Sequence, residues 1–399
     1  MTRHYLDHAS SSPLRPEAAA AMSAWLTPGA VGDPGRIHTE GMTARVALEE
    51  ARDAVAALVG ARNREVVFTS SGTEAIATAV WGAAERGRHL VVGATEHSAV
   101  RLAAAALAET GTHELTVLNV DPTGRVDPDA VVGSLRPDTA LVAVQWSNHE
   151  VGTRQPVEVI ARRLADHPAL LLVDAAQGAG RDDIDFIDSG IDLLTVSGHK
   201  FGGPTGTGVL CVRRGLRLRP LLVGSDQERA RRAGMENVAA IAGLGAVANV
   251  LSDPAERGAE ADRQRALSAS LSAVLAAVEG VHLLGDPERR APHIVCAIID
   301  GVEPQAVLLD LDRAGIAAHS GSACASGDLA PSPVLAAMGV DAHHSLRLSV
   351  GWTSTDADVT AFSDVFGPTI ARLRQLSSHD PGRIPTVANV PTGTEDPDA

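Results

Sequence analysis

The chain has 399 residues, of which 45% are hydrophobic, and a formal net charge of -15 from 49 acidic against 34 basic residues. This length and composition allow a large buried core and predict a globular protein of two or more lobes. The acidic balance argues against nucleic acid or an anionic membrane as the main partner. Aromatic residues make up only 3%, so stacking surfaces for single-stranded nucleic acid are not expected.

Cysteine usage and the N-terminus predict the cellular compartment. No run approaches the roughly 18 apolar residues of a membrane span, and residues 1–8 lack the apolar stretch of a signal peptide. The three cysteines, Cys211, Cys296 and Cys324, are too few and too scattered for a disulfide framework or a cysteine-based zinc site. We expect reduced thiols, no metal site and a cytoplasmic protein.

Strands and helices alternate over the first half of the chain. Helical spacing covers 44–58, and short β-branched runs follow at 65–69, 89–93, 114–118, 140–144, 170–174, 191–196 and 208–212. This alternation is typical of a doubly wound α/β domain.

The second half of the chain, from residue 238 onward, has a different pattern. Alanine and leucine at helical spacing predict helix over 238–278, a stretch expected to bridge two lobes. Strands at 293–299 and 345–350, mixed with helices, predict a smaller α+β domain. The last residues, 377–399, are rich in Pro, Thr, Asp and Gly and predict a disordered tail.

Two charged residues follow neighbouring apolar runs. Asp174 closes the run 170–174, and Lys200 comes shortly after the run 191–196. A lysine at the end of a buried strand can hold the aldehyde of pyridoxal 5'-phosphate as a Schiff base. An aspartate on a neighbouring strand can keep the pyridine nitrogen of that cofactor protonated. The pair therefore predicts a pyridoxal phosphate site.

Nearby polar residues support this interpretation. Ser197 and His199 supply phosphate-binding donors beside the lysine, and Gln177 lies three residues past Asp174. The alternative is that Asp174 caps a helix and Lys200 is a solvated loop residue, as most aspartates and lysines are. The added donors favour the cofactor site.

Residues 68–75 predict a cradle for the phosphate. They combine a strand end, a small-residue turn that includes Gly72 and Thr73, and the start of a helix. Free N–H groups at a helix N-terminus bind phosphate well. An ordinary turn capped by Thr73 is the alternative. The glycine-rich run 202–208 resembles a dinucleotide loop but precedes a strand, so we expect a flexible turn there.

Two further residues are candidates for ligand contact. His97 follows the run 89–93 at the sheet edge where α/β proteins bind ligands, and there it could cover the cofactor ring. Arg347 alternates with apolar residues in the strand 345–350. An arginine so placed either clamps a carboxylate bidentately or faces solvent.

The cysteines fall into two kinds. Cys324 lies in the small-residue run 319–327, which predicts a mobile loop with an accessible, reactive thiol. Cys211 and Cys296 lie inside apolar strands and are expected to behave as small buried hydrophobes.

Together these motifs resemble the pyridoxal-phosphate cysteine desulfurases of the iron-sulfur-cluster type, within the class V aminotransferase family. The similarity covers nearly the whole chain except the tail, through ordered motifs at 5–9, 68–74, 95–97, 148–152, 173–177, 197–200, 227–229, 321–324 and 345–347. It implies the type I fold of pyridoxal-phosphate-dependent transferases. That fold would have a large α/β domain with a mixed, mainly parallel sheet at 13–255, and a small α+β domain at 1–12 and 256–376 that carries the cysteine loop.

The resemblance also implies cofactor contacts. Lys200 would carry the Schiff base and move protons, His97 would stack on the ring and Asp174 would pair with its nitrogen. Gln177 would contact the phenolic oxygen, with His149 nearby. The residues implied for the phosphate are Gly72, Thr73, Ser197 and His199.

On the substrate side, the resemblance assigns the carboxylate of L-cysteine to Arg347 and makes Asn148 a second substrate-binding residue. Cys324 would attack the substrate sulfur, which leaves a persulfide on Cys324 and releases alanine. The sulfur would pass to an acceptor protein, and the family forms homodimers with sites at the subunit interface.

Five positions in four motifs depart from the family pattern. The family's Ser-Gly-Thr, whose threonine reaches the phosphate of the partner subunit, is Ala233-Gly234-Met235 here. The common Asn-Asn-Glu becomes Asn148-His149-Glu150, an early Gly-Asn becomes Gly32-Asp33, and a usual Asn of the cradle helix is Ala77. From these changes we expect a paralogue with a dedicated acceptor or pathway.

Two other functions compete with the desulfurase. A different pyridoxal phosphate enzyme, such as a selenocysteine or cystine lyase or a transaminase, would not need Cys324. A cofactor-poor sulfur-relay subunit would account for Met235, His149 and Ala77. The cysteine on a glycine-serine loop favours the desulfurase. The acceptor has no motif of its own, so iron-sulfur cluster assembly, tRNA thiolation and another biosynthetic sulfur carrier all stay open.

Overall fold

The apolar runs become the strands of a computed structural model that describes residues 2–27, 29–320, 332–341 and 343–378. The strands are β1 (His4–Tyr5), β2 (Val66–Thr69), β3 (His89–Gly93), β4 (Glu114–Leu118), β5 (Thr139–Gln145), β6 (Leu170–Asp174), β7 (Leu193–Ser197), β8 (Gly208–Val212), β9 (Val281–Leu284), β10 (Ile294–Ile299), β11 (Ile316–Ala317) and β12 (Ser345–Ser349). The α-helices are α1 (Pro16–Ser23), α2 (Thr39–Leu58), α3 (Gly72–Ala84), α4 (Ser98–Glu109), α5 (Pro128–Ser134), α6 (Val157–Leu164), α7 (Gln227–Ala230), α8 (Val238–Ser252), α9 (Pro254–Ala276), α10 (Pro304–Arg313), α11 (Pro333–Ala337) and α12 (Asp356–Ser378).

A seven-stranded mixed sheet forms the centre of the molecule, with strand order β2-β8-β7-β6-β5-β3-β4. Only β8 runs antiparallel to its neighbours in this sheet. All residues of the central strands β5 to β8 are buried, because helices cover both faces of the sheet. One apolar core includes side chains of α2 and α8, and the other includes side chains of α3 and α4. Parallel strands end at one edge of a sheet, so the residues that follow β2, β3, β5, β6 and β7 converge there.

The predicted strands agree closely with this sheet. The runs at 89–93, 114–118, 170–174 and 208–212 coincide with observed strands, and the remaining predicted strands differ by at most two residues at either end. The predicted helix at 44–58 begins earlier, at Thr39, because His38 caps it: Nδ1 of His38 accepts a hydrogen bond from the N–H of Gly41 at 3.2 Å.

The predicted helical stretch 238–278 is two helices rather than one. Asp253 caps α9 by accepting from the N–H of Ala255 at 2.8 Å, and Pro254, which has no N–H, occupies the first position of α9. The two helices meet at 86°. Within the described ranges no single helix has the length and apolar character needed to cross a membrane, and α8 and α9 meet that test only when the bent pair is taken together.

A second, antiparallel sheet of order β12-β10-β9 packs against α9 and α12. Its core includes Leu271, Leu275 and the stacked rings of Phe362 and Phe366, whose centroids are 4.9 Å apart. The N-terminus joins this part of the molecule, because β1 pairs in parallel with β11 and Leu6 is fully buried in the same core. The N-terminal segment that follows β1 therefore runs beside β12 toward the edge of the large sheet.

The predicted domain limits at 13–255 and 256–376 stay predictions. The last helix, α12, continues to Ser378, two residues into the segment predicted as tail. Residues 379–399 lie outside the described residues.

Candidate active site

A cavity of about 310 Å³ lies at the carboxyl edge of the large sheet. It brings together ten of the residues predicted from the sequence: Gly72, Thr73, His97, His149, Asp174, Gln177, Ser197, His199, Lys200 and Arg347. These residues come from positions 72 to 347, so the tertiary structure alone unites them.

Lys200 reaches the cavity from the single helical turn that follows β7. Its Nζ donates to the main-chain oxygens of Ala9 and Ser10 at 2.7 and 3.0 Å. Burial, reinforced by the positive charge of Arg347, lowers the pKa of Lys200 to about 8 against the opposing attraction of Asp174. A substantial part of this amine is therefore neutral near physiological pH, as required for attack on an aldehyde.

Asp174 ends β6, the strand next to β7, and is buried. Its Oδ1 accepts from the N–H of Ala176 at 3.0 Å and from Oγ1 of Thr195 at 3.2 Å. These bonds fix the carboxylate at the cavity wall. The alternatives of a helix-capping aspartate and a solvated lysine are wrong, since both side chains line the cavity.

The turn between β2 and α3 forms the predicted cradle. Ser71, not Thr73, caps α3, and its Oγ accepts from the N–H of Glu74 at 3.1 Å. The first N–H groups of a helix have no acceptor within it, so those of Gly72 and Thr73 are available to an anion. A Cβ on Gly72 would lie 3.2 Å from the Cβ of Ser197, so glycine keeps this approach open.

Ser197 and His199 complete the donor set on the opposite side of the cradle. Oγ of Ser197 and Nδ1 of His199 are 3.2 Å apart. Together with the helix N-terminus they suit a phosphate, while Lys200 and Asp174 suit the aldehyde and the ring nitrogen of pyridoxal phosphate. The residues present therefore fit that cofactor.

His97 lies over the same cavity as the N-cap of α4. Its Nδ1 accepts from the N–H of Ala99 at 3.1 Å. Its ring meets that of His149 edge to face, with centroids 5.0 Å apart. Burial lowers the pKa of His97, and it lowers that of His149 further because His97, Arg347 and Lys200 add positive charge around it. Both rings are therefore held as neutral imidazoles.

Arg347 is 2% exposed, so the alternative in which it faces solvent is wrong. Its Nη1 donates to the main-chain oxygen of His149 at 2.8 Å, and its Nη2 donates to Oδ1 of Asp7 at 2.9 Å and to Oγ of Ser10 at 2.6 Å. Its buried Nε has no hydrogen-bond partner among the described residues. Three of the hydrogen bonds of this guanidinium therefore go to the protein, and they fix its plane at the cavity wall.

Asn148 does not line the cavity, which corrects the prediction that it contacts substrate. Its amide is fully buried and used within its own turn. Oδ1 accepts from the N–H groups of Glu150 and Val151, both at 2.8 Å, and Nδ2 donates to the main-chain oxygen of Thr95 at 3.1 Å. Asn148 holds the turn, and its neighbour His149 is the residue that reaches the ligand space.

Cys324 lies outside the described residues, so its predicted position relative to the cavity is not tested. Cys211 and Cys296 are buried, as predicted. Burial raises the pKa of both thiols, that of Cys296 to about 12. Neither is a reactive nucleophile at neutral pH.

Several cavity residues were missed by the sequence analysis. Ala9 and Ser10 form part of the cavity wall, and Asp7 orients Arg347. The motif at 5–9 was the available signal, but it predicted no contact. His319, the first residue of the run 319–327, also lines the cavity.

The departures from the family pattern have different surroundings. Asp33, which stands where the family usually has asparagine, accepts from the N–H of Gly35 at 2.8 Å and pairs with Arg36 at 3.0 Å. Met235 is well exposed, and His149 is the departure that lines the cavity.

Comparison with known proteins places the chain in a family. The model of the family "Aminotransferase class-V" matches residues 4–362. The "Putative cysteine desulfurase IscS 1" of Bacillus subtilis strain 168 is 40% identical over 382 residues, which cover 94% of this chain and 100% of that relative.

Solved structures agree with the sequence relatives. A "NifS-like protein" superposes with a TM-score of 0.84 at 27% identity, covering 94% of this chain and 100% of that one. The structure titled "SspA in complex with cysteine" has a TM-score of 0.76 at 28% identity, covering 87% of this chain and 98% of that one. The chain therefore belongs to the class V aminotransferase family, has the type I fold of its pyridoxal-phosphate enzymes, and takes pyridoxal 5'-phosphate as its cofactor.

Proposed function

We propose that this protein is a cysteine desulfurase that removes sulfur from L-cysteine, releases L-alanine and leaves the sulfur as a persulfide on Cys324. Relatives that match nearly the whole chain carry the name cysteine desulfurase, and one structural neighbour was solved with cysteine. The observation that carries the proposal is the single cavity in which Lys200, Asp174 and Arg347 line one ligand space.

Cofactor binding is assigned to the large-sheet side of this cavity. Lys200 would hold the cofactor covalently, and Asp174 would keep the ring nitrogen protonated. The phosphate would bind the N–H groups of Gly72 and Thr73 together with Ser197. When bound, the cofactor supplies an electron sink that makes the α-proton of an amino acid removable.

The substrate side of the cavity orients the amino acid. Arg347 would bind the carboxylate, since its guanidinium is already fixed by Asp7 and Ser10. Lys200 would move protons at the substrate carbons. The neutral rings of His97 and His149 would exclude water from the same space.

Sulfur transfer is assigned to the thiolate of Cys324, the competent form of a cysteine nucleophile. It attacks the substrate sulfur, so that an S–S bond forms as the C–S bond breaks. The bonding electron pair stays with the substrate carbon, which takes up a proton to become the methyl group of alanine. The persulfide sulfur then passes to an acceptor protein.

A homodimer is part of this proposal. Large apolar side chains on and just before α2 are exposed, among them Ile37 (95%), Met42 and Val46. Met42 and Val46 lie one turn apart on one face of α2, and a second copy of the chain would cover that face. Equilibrium sedimentation tests this, and a monomer at micromolar concentration would contradict it.

The central test is the stoichiometry of products from L-cysteine with excess reductant. The native enzyme and the control variant Cys211→Ala, which changes a buried thiol, are expected to form alanine and sulfide in equal amounts. Cys324→Ala is expected to form neither above background. Retained activity in Cys324→Ala would instead indicate a lyase that eliminates sulfur without a persulfide.

A further inference from the structure

A buried histidine outside the cavity hydrogen-bonds to one of the cavity residues. His293 immediately precedes β10 and is fully buried. Its Nε2 lies 3.0 Å from Oε1 of Gln177. The other end of the same amide, Nε2 of Gln177, donates to the main-chain oxygen of Ala9 at 3.0 Å. Gln177 itself lines the cavity.

These contacts determine which way the amide of Gln177 faces. A main-chain oxygen only accepts hydrogen bonds, so the NH₂ group of Gln177 must face Ala9 and the amide oxygen must face His293. The Nε2 of His293 must then carry its proton and act as donor. Rotating the amide by 180° would set two oxygens against each other at Ala9.

The surroundings of His293 keep it in this neutral form. Burial lowers its pKa well below the usual value, and positive charge on Arg181 and nearby groups adds to the effect. With the proton on Nε2, the Nδ1 atom is a bare acceptor, and it has no partner among the described residues. A buried acceptor without a partner lowers the stability of the folded protein. That cost accompanies the hydrogen bond that Nε2 donates to Gln177.

We infer that His293 is a positioning residue that acts through Gln177: it fixes the amide so that the second N–H of Gln177 stays directed to the ligand space as a donor. This rests on the proposed function and on the contact between Gln177 and the phenolic oxygen of the cofactor that the family resemblance implies. Ala9 anchors the NH₂ group independently of Lys200, so the arrangement persists when Lys200 is covalently engaged. Without His293 the amide oxygen loses its donor, and the amide is held at Ala9 alone.

The pH dependence of the visible absorption band of the holoenzyme tests this inference. A hydrogen bond donated to the phenolic oxygen stabilises its ionised form and lowers the pH at which the band changes. His293→Leu removes the donor without changing net charge, because His293 is already neutral. We expect the midpoint pH of the titration of this band to rise by about one unit, which corresponds to the free energy of one charge-assisted hydrogen bond. His293→Gln, which keeps a donor near Nε2, is expected to restore the native midpoint.

The same substitution made in the Gln177→Ala variant distinguishes positioning through Gln177 from an effect of packing. In Gln177→Ala the midpoint should already be raised, and adding His293→Leu should move it no further. A native midpoint in His293→Leu, or an equal further shift in the Gln177→Ala background, would overturn the inference. Thermal unfolding of each variant records the cost of the buried substitution separately. If the native protein shows no visible band with added pyridoxal phosphate, the proposed function fails. If the native protein shows the band but the variants do not shift it as expected, only the inference about His293 fails.

Discussion

The two walls of the cavity are built in different ways. The wall from the large sheet takes Asp174 and Lys200 from the ends of adjacent parallel strands, so their closeness follows from strand order. The opposite wall takes Arg347 from β12 and Ser10 from the N-terminal segment, more than 300 residues apart in sequence. In the proposed enzyme the first wall holds the cofactor and the second orients the substrate. Changes in the first should therefore abolish chemistry, whereas changes in the second should weaken substrate binding.

The largest effect is expected from Lys200→Ala. Without its amine the enzyme loses both the covalent attachment and the proton carrier, and kcat for alanine formation should fall by about 10⁴-fold. Borohydride reduction followed by mass spectrometry should find the cofactor attached to the native chain only. Lys200→Arg keeps the charge without a usable nucleophile and should behave the same way. A variant with more than a tenth of native activity would contradict this role.

A second effect concerns pH and the same amine. Only neutral lysine attacks an aldehyde, and the pKa of Lys200 is lowered to about 8, chiefly by burial. The rate at which cofactor-free protein captures pyridoxal phosphate should rise with pH to a midpoint near 8 and level off above it. At pH 8 about half of Lys200 is neutral, against about 0.3% of a lysine of ordinary pKa. A rate that still rises in proportion to hydroxide at pH 9.5 would contradict the lowered pKa.

The substrate wall is tested by Arg347→Lys. Lysine keeps the charge but cannot bond Asp7, Ser10 and a carboxylate through one planar fork. The loss of one charge-assisted hydrogen bond should raise KM for L-cysteine by about 10- to 100-fold, with kcat changed much less. Steady-state kinetics measure the split. A fall in kcat of about 10- to 100-fold with unchanged KM would place Arg347 in the chemical step. It would also contradict the assignment of substrate binding to this wall.

The smallest effect is expected from Asn148→Ala, which tests whether Asn148 supports its own turn or contacts substrate. Removing the amide leaves the buried N–H groups of Glu150 and Val151 without their acceptor, which should lower the free energy of unfolding by about 1–3 kcal/mol. Asn148→Asp keeps that acceptor and should lose less. Denaturant unfolding measures both. If instead KM changes and stability does not, Asn148 contacts substrate after all.

Much of the cavity was predictable because its chemistry is local. Asp174 and Lys200 each close an apolar run, and the cradle at 68–75 is a continuous strand, turn and helix start. Ser71 rather than Thr73 proved to be the cap, since the choice between adjacent hydroxyls depends on where the helix begins. The environment of Arg347 was not predictable, because an alternating strand pattern does not say which face is covered.

The sequence by itself determined the strands of the large sheet, the family and the residue types of the site, because hydrophobic periodicity and short motifs are encoded over a few neighbouring positions. Only the tertiary structure decided that Asn148 supports a turn while His149 faces the ligand space, and that His293 holds Gln177. A side chain's partners depend on the direction in which it leaves the backbone and on segments far away in the chain. Those contacts are set by packing of the two sheets against the N-terminal segment, which no local pattern records.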